Sequence, residues 1–350
     1  MNKLSKVSLT ALCGSLATIT AVKAGELSIA GGMTMTMTKK GGTTTGNPLG
    51  MASNITFTGS GELDGGQNVD LTISHTDKDV YSSAAIKLTT NSLGTWKVTQ
   101  ATGGAGIGGY DDNMPRAFEE AWDTGIGSGV DLAKGVGSST TLSWTSPSAM
   151  GTSLQVAVAP RNDGASVSDK SSGGSANAAQ GMGYDIVLDT SQEVSGVDVD
   201  LFAGYSVTER PSDKPVAGGD AAKDREEGVA GLTLTLGPVK AGWQRSLEYT
   251  GNNQTGTDTF GYKNTSWGVS FNVNDNLSVS YAEFESLRGL VEHSNTGSSR
   301  PVTTIESLQA AYTMGGVSLK VAMNELDNGT YTSGSANDAD SSLVLLSLAF

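Results

Sequence analysis

Beyond its first two dozen residues the chain has no cysteine, only two histidines, and no run of apolar residues long enough to cross a bilayer as a helix. The single cysteine, Cys13, lies in a stretch with a basic start (Lys3, Lys6), an apolar middle from Val7 to Val22 and a small-residue site at Val22-Lys23-Ala24. That is the pattern of a secretory signal peptide over residues 1–24, cleaved near Ala24. Cleavage leaves no thiol, so stability rests on burial and hydrogen bonding without disulfides. It also removes three lysines and no acids, taking the formal charge from −14 to −17. An acidic surface argues against nucleic acid as a partner, since phosphate binding depends on Lys and Arg. The scarcity of His and Cys leaves no zinc-ligand cluster. His75 and His293 have no partner at a spacing that suggests catalysis, so no enzyme and no cofactor are expected.

What the chain has in abundance is glycine, with 47 residues, together with serine and threonine. Amphipathic helical spacing is nearly absent, and from Glu26 onward apolar and polar residues alternate. Leu27, Ile29, Met33, Met35 and Met37 take one parity; Ser28, Thr34, Thr36 and Thr38 take the other. The same alternation marks sixteen segments, the last running through Val344, Leu346 and Leu348 to Phe350. Short turns such as Asp64-Gly65-Gly66, Leu236-Gly237-Pro238, Asn274-Asp275-Asn276 and Met314-Gly315-Gly316 interleave with long Gly/Ser/Asp-rich loops. Those loops are expected near residues 38–51, 101–137, 160–182, 209–226, 250–262, 287–302 and 326–340. An even number of strands, tight turns at one rim and long loops at the other predict an all-β, 16-stranded antiparallel transmembrane β-barrel in one domain, residues 25–350.

Alternation alone also fits a soluble sandwich, because both folds have one wet and one dry face per strand. Export and the aromatic residues Trp96, Trp243, Trp267, Tyr249 and Tyr281, placed as an interfacial belt would be, favour the barrel. Arg245 shares the parity of Trp243 and Leu247, which places it near an interface or in a subunit contact. The competing reading is an exported, acidic, β-rich surface protein, an adhesin or a β-solenoid.

Ser342-Leu343-Val344-Leu345-Leu346-Ser347-Leu348-Ala349-Phe350 resembles the terminal strand of outer-membrane proteins, whose final aromatic residue is an assembly signal. With the rhythm of turns and loops and an outsized third loop, residues 25–350 resemble the general porins of Gram-negative bacteria, nearest the trimeric alphaproteobacterial type. The chain lacks the Pro-Glu-Phe-Gly-Gly loop motif of enterobacterial porins, so only the placement of the loop carries over.

The resemblance implies a homotrimer in outer-membrane lipid, inserted by the barrel-assembly machinery through Phe350, with passive diffusion of small hydrophilic solutes and ions. It implies that loop 101–137 folds into the lumen as a constriction carrying Asp111, Asp112, Arg116, Glu119, Glu120 and Asp123, with a mild preference for cations. It further implies a facing basic wall, for which Lys87, Lys97, Lys240 and Lys320 have the lumen parity. Within the loop, Asn113 to Trp122 is expected as a short helix with Pro115 in its first turn. Gly104 to Gly109 matches the spacing of a dinucleotide fingerprint, but no βαβ unit surrounds it.

Overall fold

The computed structural model describes residues 25–41, 47–77, 83–137, 139–162, 181–210, 223–251, 259–290 and 301–349. The signal segment, His293 and Phe350 lie outside them.

Sixteen strands follow one another: β1 (Glu26–Lys40), β2 (Leu49–Glu62), β3 (Asn68–Thr76), β4 (Ser83–Thr90), β5 (Gly94–Gln100), β6 (Thr141–Thr145), β7 (Thr152–Ala159) and β8 (Gly183–Val194). The second half comprises β9 (Val197–Thr208), β10 (Arg225–Leu236), β11 (Val239–Tyr249), β12 (Thr259–Asn272), β13 (Leu277–Leu290), β14 (Thr303–Met314), β15 (Val317–Asp327) and β16 (Ala339–Ala349). Each expected alternating segment falls on one strand, in order. Every strand pairs antiparallel with its chain neighbours, and β1 closes the ring on β16 through Met33↔Leu348, Met35↔Leu346 and Met37↔Val344. Closure removes the edges that an open sheet would expose and rules out a solenoid.

The distribution of side chains is inside-out, and this settles barrel against sandwich. Met35, Met51, Leu188, Leu247 and Leu308 are exposed on the outside, whereas Ser307, Gln309, Asn324, Ser266 and Ser280 are buried facing in. Water would penalise the outer surface by roughly 25 cal/mol per Å² of apolar area, so hydrocarbon is its natural solvent. The outer face carries the aromatic pairs Trp96–Trp144 and Trp267–Tyr281, with ring centroids 6.2 and 5.4 Å apart. Arg245 lies 5.5 Å from the Trp243 ring and donates from Nε to Thr265 Oγ1, so its side chain is held against the outer wall.

Seven connections of two to six residues form one rim, and the long loops lie at the other. Gly237 and Gly315 adopt left-handed backbone at their turns, φ +55° and +61°, which costs a glycine little. Several strands run further toward the loop rim than alternation predicts: β12 starts at Thr259 and β13 extends to Leu290. Above the apolar band the outward positions become polar, so the signal fades while the hydrogen-bond ladder continues. The boundary is sharp on β13–β16, where Glu283 pairs with Glu306, Glu306 with Glu325 and Glu325 with Asp340 in one outward row. Tyr281, one row below, donates to Glu306 at 2.6 Å. Four carboxylates in register repel one another and require water, which places this row above the hydrocarbon.

Candidate functional site: a loop along the inner wall

After β5 the chain turns inward and follows the inner wall past β7–β15 before returning to β6. The expected helix over Asn113–Trp122 does not form; the loop contains 3-10 turns at Gly106–Tyr110 and Ala121–Asp123, with irregular backbone between. Lumen side chains explain this, because they take the N–H groups a helix would have used internally. Asn113 N–H donates to Gln244 (2.9 Å), Ala117 N–H to Ser280 Oγ (2.8 Å), and Phe118 and Glu119 N–H to Gln309 (2.9 and 3.1 Å). The two amides also donate back, Gln244 to Tyr110 O at 2.7 Å and Gln309 to Glu119 O at 2.6 Å.

Two buried carboxylates hold the ends of the loop together. Asp185 on β8 accepts from Ile107 N–H at 2.9 Å and Val136 N–H at 3.1 Å. Glu227 on β10 accepts from Lys134 N–H (2.7 Å) and Gly135 N–H (3.0 Å) while paired with Arg225 at 2.7 Å. Gly106 and Gly135 lie against the Asp185 carboxylate with φ +61° and +50°, and a Cβ at either would run into it. The glycine-rich segment Gly104 to Gly109, set aside as a dinucleotide fingerprint, thus supplies a glycine-dependent docking turn at Gly106. Ile107 and Ala133 pack with Val187, Phe202 and Val229, and Ala121 and Ile126 pack with Ala282, Phe284, Ile305 and Leu326. Pro115 sits on Gly242 and Gly268, where larger residues would lift it.

The acidic residues named from the sequence fall into two groups. Asp112 is buried, its Oδ1 accepting from Met114 N–H at 3.0 Å. Burial pushes its pKa up to about 6, against the opposing effects of that hydrogen bond and of Arg116. It thus holds a turn, as does Asp111, which accepts from Asp112 N–H at 2.8 Å and is raised mainly by burial. Glu119, Glu120 and Asp123 form the second group, with ligand oxygens all within 4.8 Å of one another. Burial, then a hydrogen bond and charge from Glu120, push Glu119 up to about 8. Burial would raise Glu120 too, but the hydrogen bond from Glu119, a backbone hydrogen bond and Arg116 outweigh it, and it stays low. Arg116 forms an ion pair with Glu120. Asp123 is raised by burial and by the charge of Glu120.

The four lysines do not form one wall. Lys87 and Lys97 are directly opposed on β4 and β5, away from the strands that carry the loop, and Lys87 pairs with Asp70 at 2.5 Å. Lys320 on β15 and Lys240 on β11 stand on the loop's own side: Lys320 Nζ is 5.4 Å from the Phe118 ring, and Lys240 lies near Tyr110 and Asn113. The anchors Asp185, Glu227, Gln244, Ser280 and Gln309 have no distinguishing mark in sequence, where each is one polar residue at lumen parity.

A closed sixteen-stranded antiparallel barrel with a polar interior and the loop after its fifth strand lodged inside defines the general-porin fold. No protein-family model matches the chain, and no curated protein matches it in sequence. Among solved structures it is similar to OmpF of Salmonella typhi in complex with daunomycin: TM-score 0.66, 15% identity, covering 93% of this chain and 98% of that one. It is also similar to a loop-L8 deletion mutant of OmpT, an outer-membrane protein of Vibrio cholerae (TM-score 0.64, 12% identity, 94% and 100% covered). A third is an anion-selective porin from Comamonas acidovorans, with TM-score 0.61, 14% identity, and 93% and 100% covered.

Proposed function

We propose that the protein is an outer-membrane channel for passive diffusion of small hydrophilic solutes and ions, with loop 101–137 as its constriction and a mild preference for cations. The observation that supports this reading is a closed barrel with polar side chains facing in and a loop along its inner wall that gathers Glu119, Glu120 and Asp123. Low-dielectric walls concentrate the field of such a group and raise the local cation concentration. Lys87 and Lys97, across the barrel from the loop's anchoring strands, oppose it and give the lumen a transverse polarity. Charge preference follows this chain's own side chains, since proteins of this fold include one described as anion-selective. A homotrimer in Gram-negative outer-membrane lipid accords with the exposed apolar band, and a trimer form is described for Vibrio cholerae OmpT.

Single-channel recording in a planar bilayer under a salt gradient tests the reading. Closures in threes and a reversal potential of cationic sign are expected. An anionic sign would remove the role given to Glu119, Glu120 and Asp123, and folded protein that does not conduct would remove the channel itself. Phe350 is proposed as the assembly signal. Its deletion should leave most of the chain unassembled, read as loss of the heat-modifiable band in outer-membrane fractions, and normal assembly would refute that role.

A further inference from the structure

On the β8–β11 wall a cavity of about 310 Å³ opens beside the loop. Its lining includes Asp189, Asp200, Lys240, Asn113 and the adjacent, mutually tilted rings of Tyr110 and Phe202, whose centroids are 4.9 Å apart. Opposite charges thus share one small space without neutralising each other. Asp189 accepts from Ser153 Oγ at 2.5 Å and Tyr110 OH at 3.3 Å, and Asp200 from Ser191 and from Thr233 Oγ1 at 3.1 Å. Those hydroxyls orient the carboxylates yet occupy only part of their roughly four lone-pair positions each. Among the described residues no Lys or Arg forms an ion pair with either, and Lys240 has neither an ion pair nor a hydrogen bond from its side chain.

We propose that this cavity is a binding station for small zwitterions of the α-amino-acid type, an inference that rests on the channel reading above. The ammonium group of the solute meets Asp189 and Asp200, its carboxylate meets Lys240, and its side chain lies toward Tyr110 and Phe202. A simple cation is repelled by Lys240, a simple anion by the two carboxylates, and a neutral polyol leaves all three charges unpaired. Charge-assisted hydrogen bonds at both ends make the zwitterion the solute that uses the whole lining.

The test is interruption of single-channel current by L-phenylalanine, with glucose as the neutral comparison. Brief blocks that grow with phenylalanine concentration are expected, with little effect of glucose. Lys240→Gln and Asp200→Asn should each weaken the block about tenfold, as loss of one charge-assisted contact predicts. Lys240→Arg should keep it, which separates loss of charge from a folding defect. Open channels without phenylalanine block, equal block by glucose, or block unchanged in both neutralised variants would overturn the station while leaving the porin reading intact. Absence of conductance would instead remove the reading on which it rests.

Discussion

Replacing Asp185 and Glu227 together by alanine is expected to unseat loop 101–137 and raise single-channel conductance on the order of twofold, as widening a narrow passage does. The two carboxylates accept from four backbone N–H groups at the two ends of the loop, those of Ile107, Val136, Lys134 and Gly135. Hydrogen bonds to charged groups contribute about 1.5–3 kcal/mol each, so the four together are worth roughly 6–12 kcal/mol. Once lost, these N–H groups find water only if the loop leaves the wall. The strand ladder does not depend on these side chains, so the barrel itself should still form. Limited proteolysis should then cut within 101–137, where the wild-type protein resists. Asp185→Asn alone keeps one oxygen that accepts from both Ile107 and Val136 N–H and should stay close to wild type, whereas Glu227→Gln turns an amide –NH2 toward the N–H of Lys134 or Gly135 and should loosen the loop in part. Unchanged conductance and protease resistance in the alanine pair would show that packing of Ile107, Ala121 and Ile126 alone retains the loop.

The second large effect is of pH on selectivity. Glu119 is held protonated to about 8 by burial and by its contact with Glu120, so at neutral pH this cluster carries less negative charge than its composition suggests. As pH rises from 6 to 9 the proton leaves, a negative charge appears beside Glu120 and Asp123, and cation preference increases, roughly two- to threefold in permeability ratio. Reversal potentials at the two pH values measure this. Glu119→Gln should abolish the alkaline increase while leaving the value at pH 6 nearly unchanged. Glu120→Gln should lower cation preference at both and move the remaining increase to lower pH, because the hydrogen bond and charge that hold the Glu119 proton are gone. A preference that does not change with pH in the wild type would contradict the shared proton.

The architecture was legible in sequence because a barrel in lipid imposes period two on every strand, and all sixteen alternating segments returned as strands. Strand ends were less legible. Around Glu283, Glu306 and Glu325 the outward residues turn polar above the hydrocarbon, so alternation no longer distinguishes the two faces. Lysine parity was also legible, since Lys87, Lys97, Lys240 and Lys320 all point into the lumen. Their grouping was not, because position around the ring depends on closure of β1 on β16.

In the loop, composition was misleading. Pro115 and the residues after it look like a helix start, but a helix needs its own carbonyls as acceptors, and Gln244, Ser280 and Gln309, each more than a hundred residues away, took the donors instead. The acidic residues read as one constriction divide into Asp111 and Asp112, which hold turns, and Glu119, Glu120 and Asp123, which gather at one place.

The sequence by itself determined the strand number, the wet and dry face of each strand and the rim that bears the long loops, because these depend on local alternation and turn chemistry. Only the tertiary structure decided which polar residues hold the loop, which acids share a proton and which charges face each other across the β8–β11 cavity. Those properties depend on contacts between segments far apart in the chain, and their side chains meet only once the barrel closes.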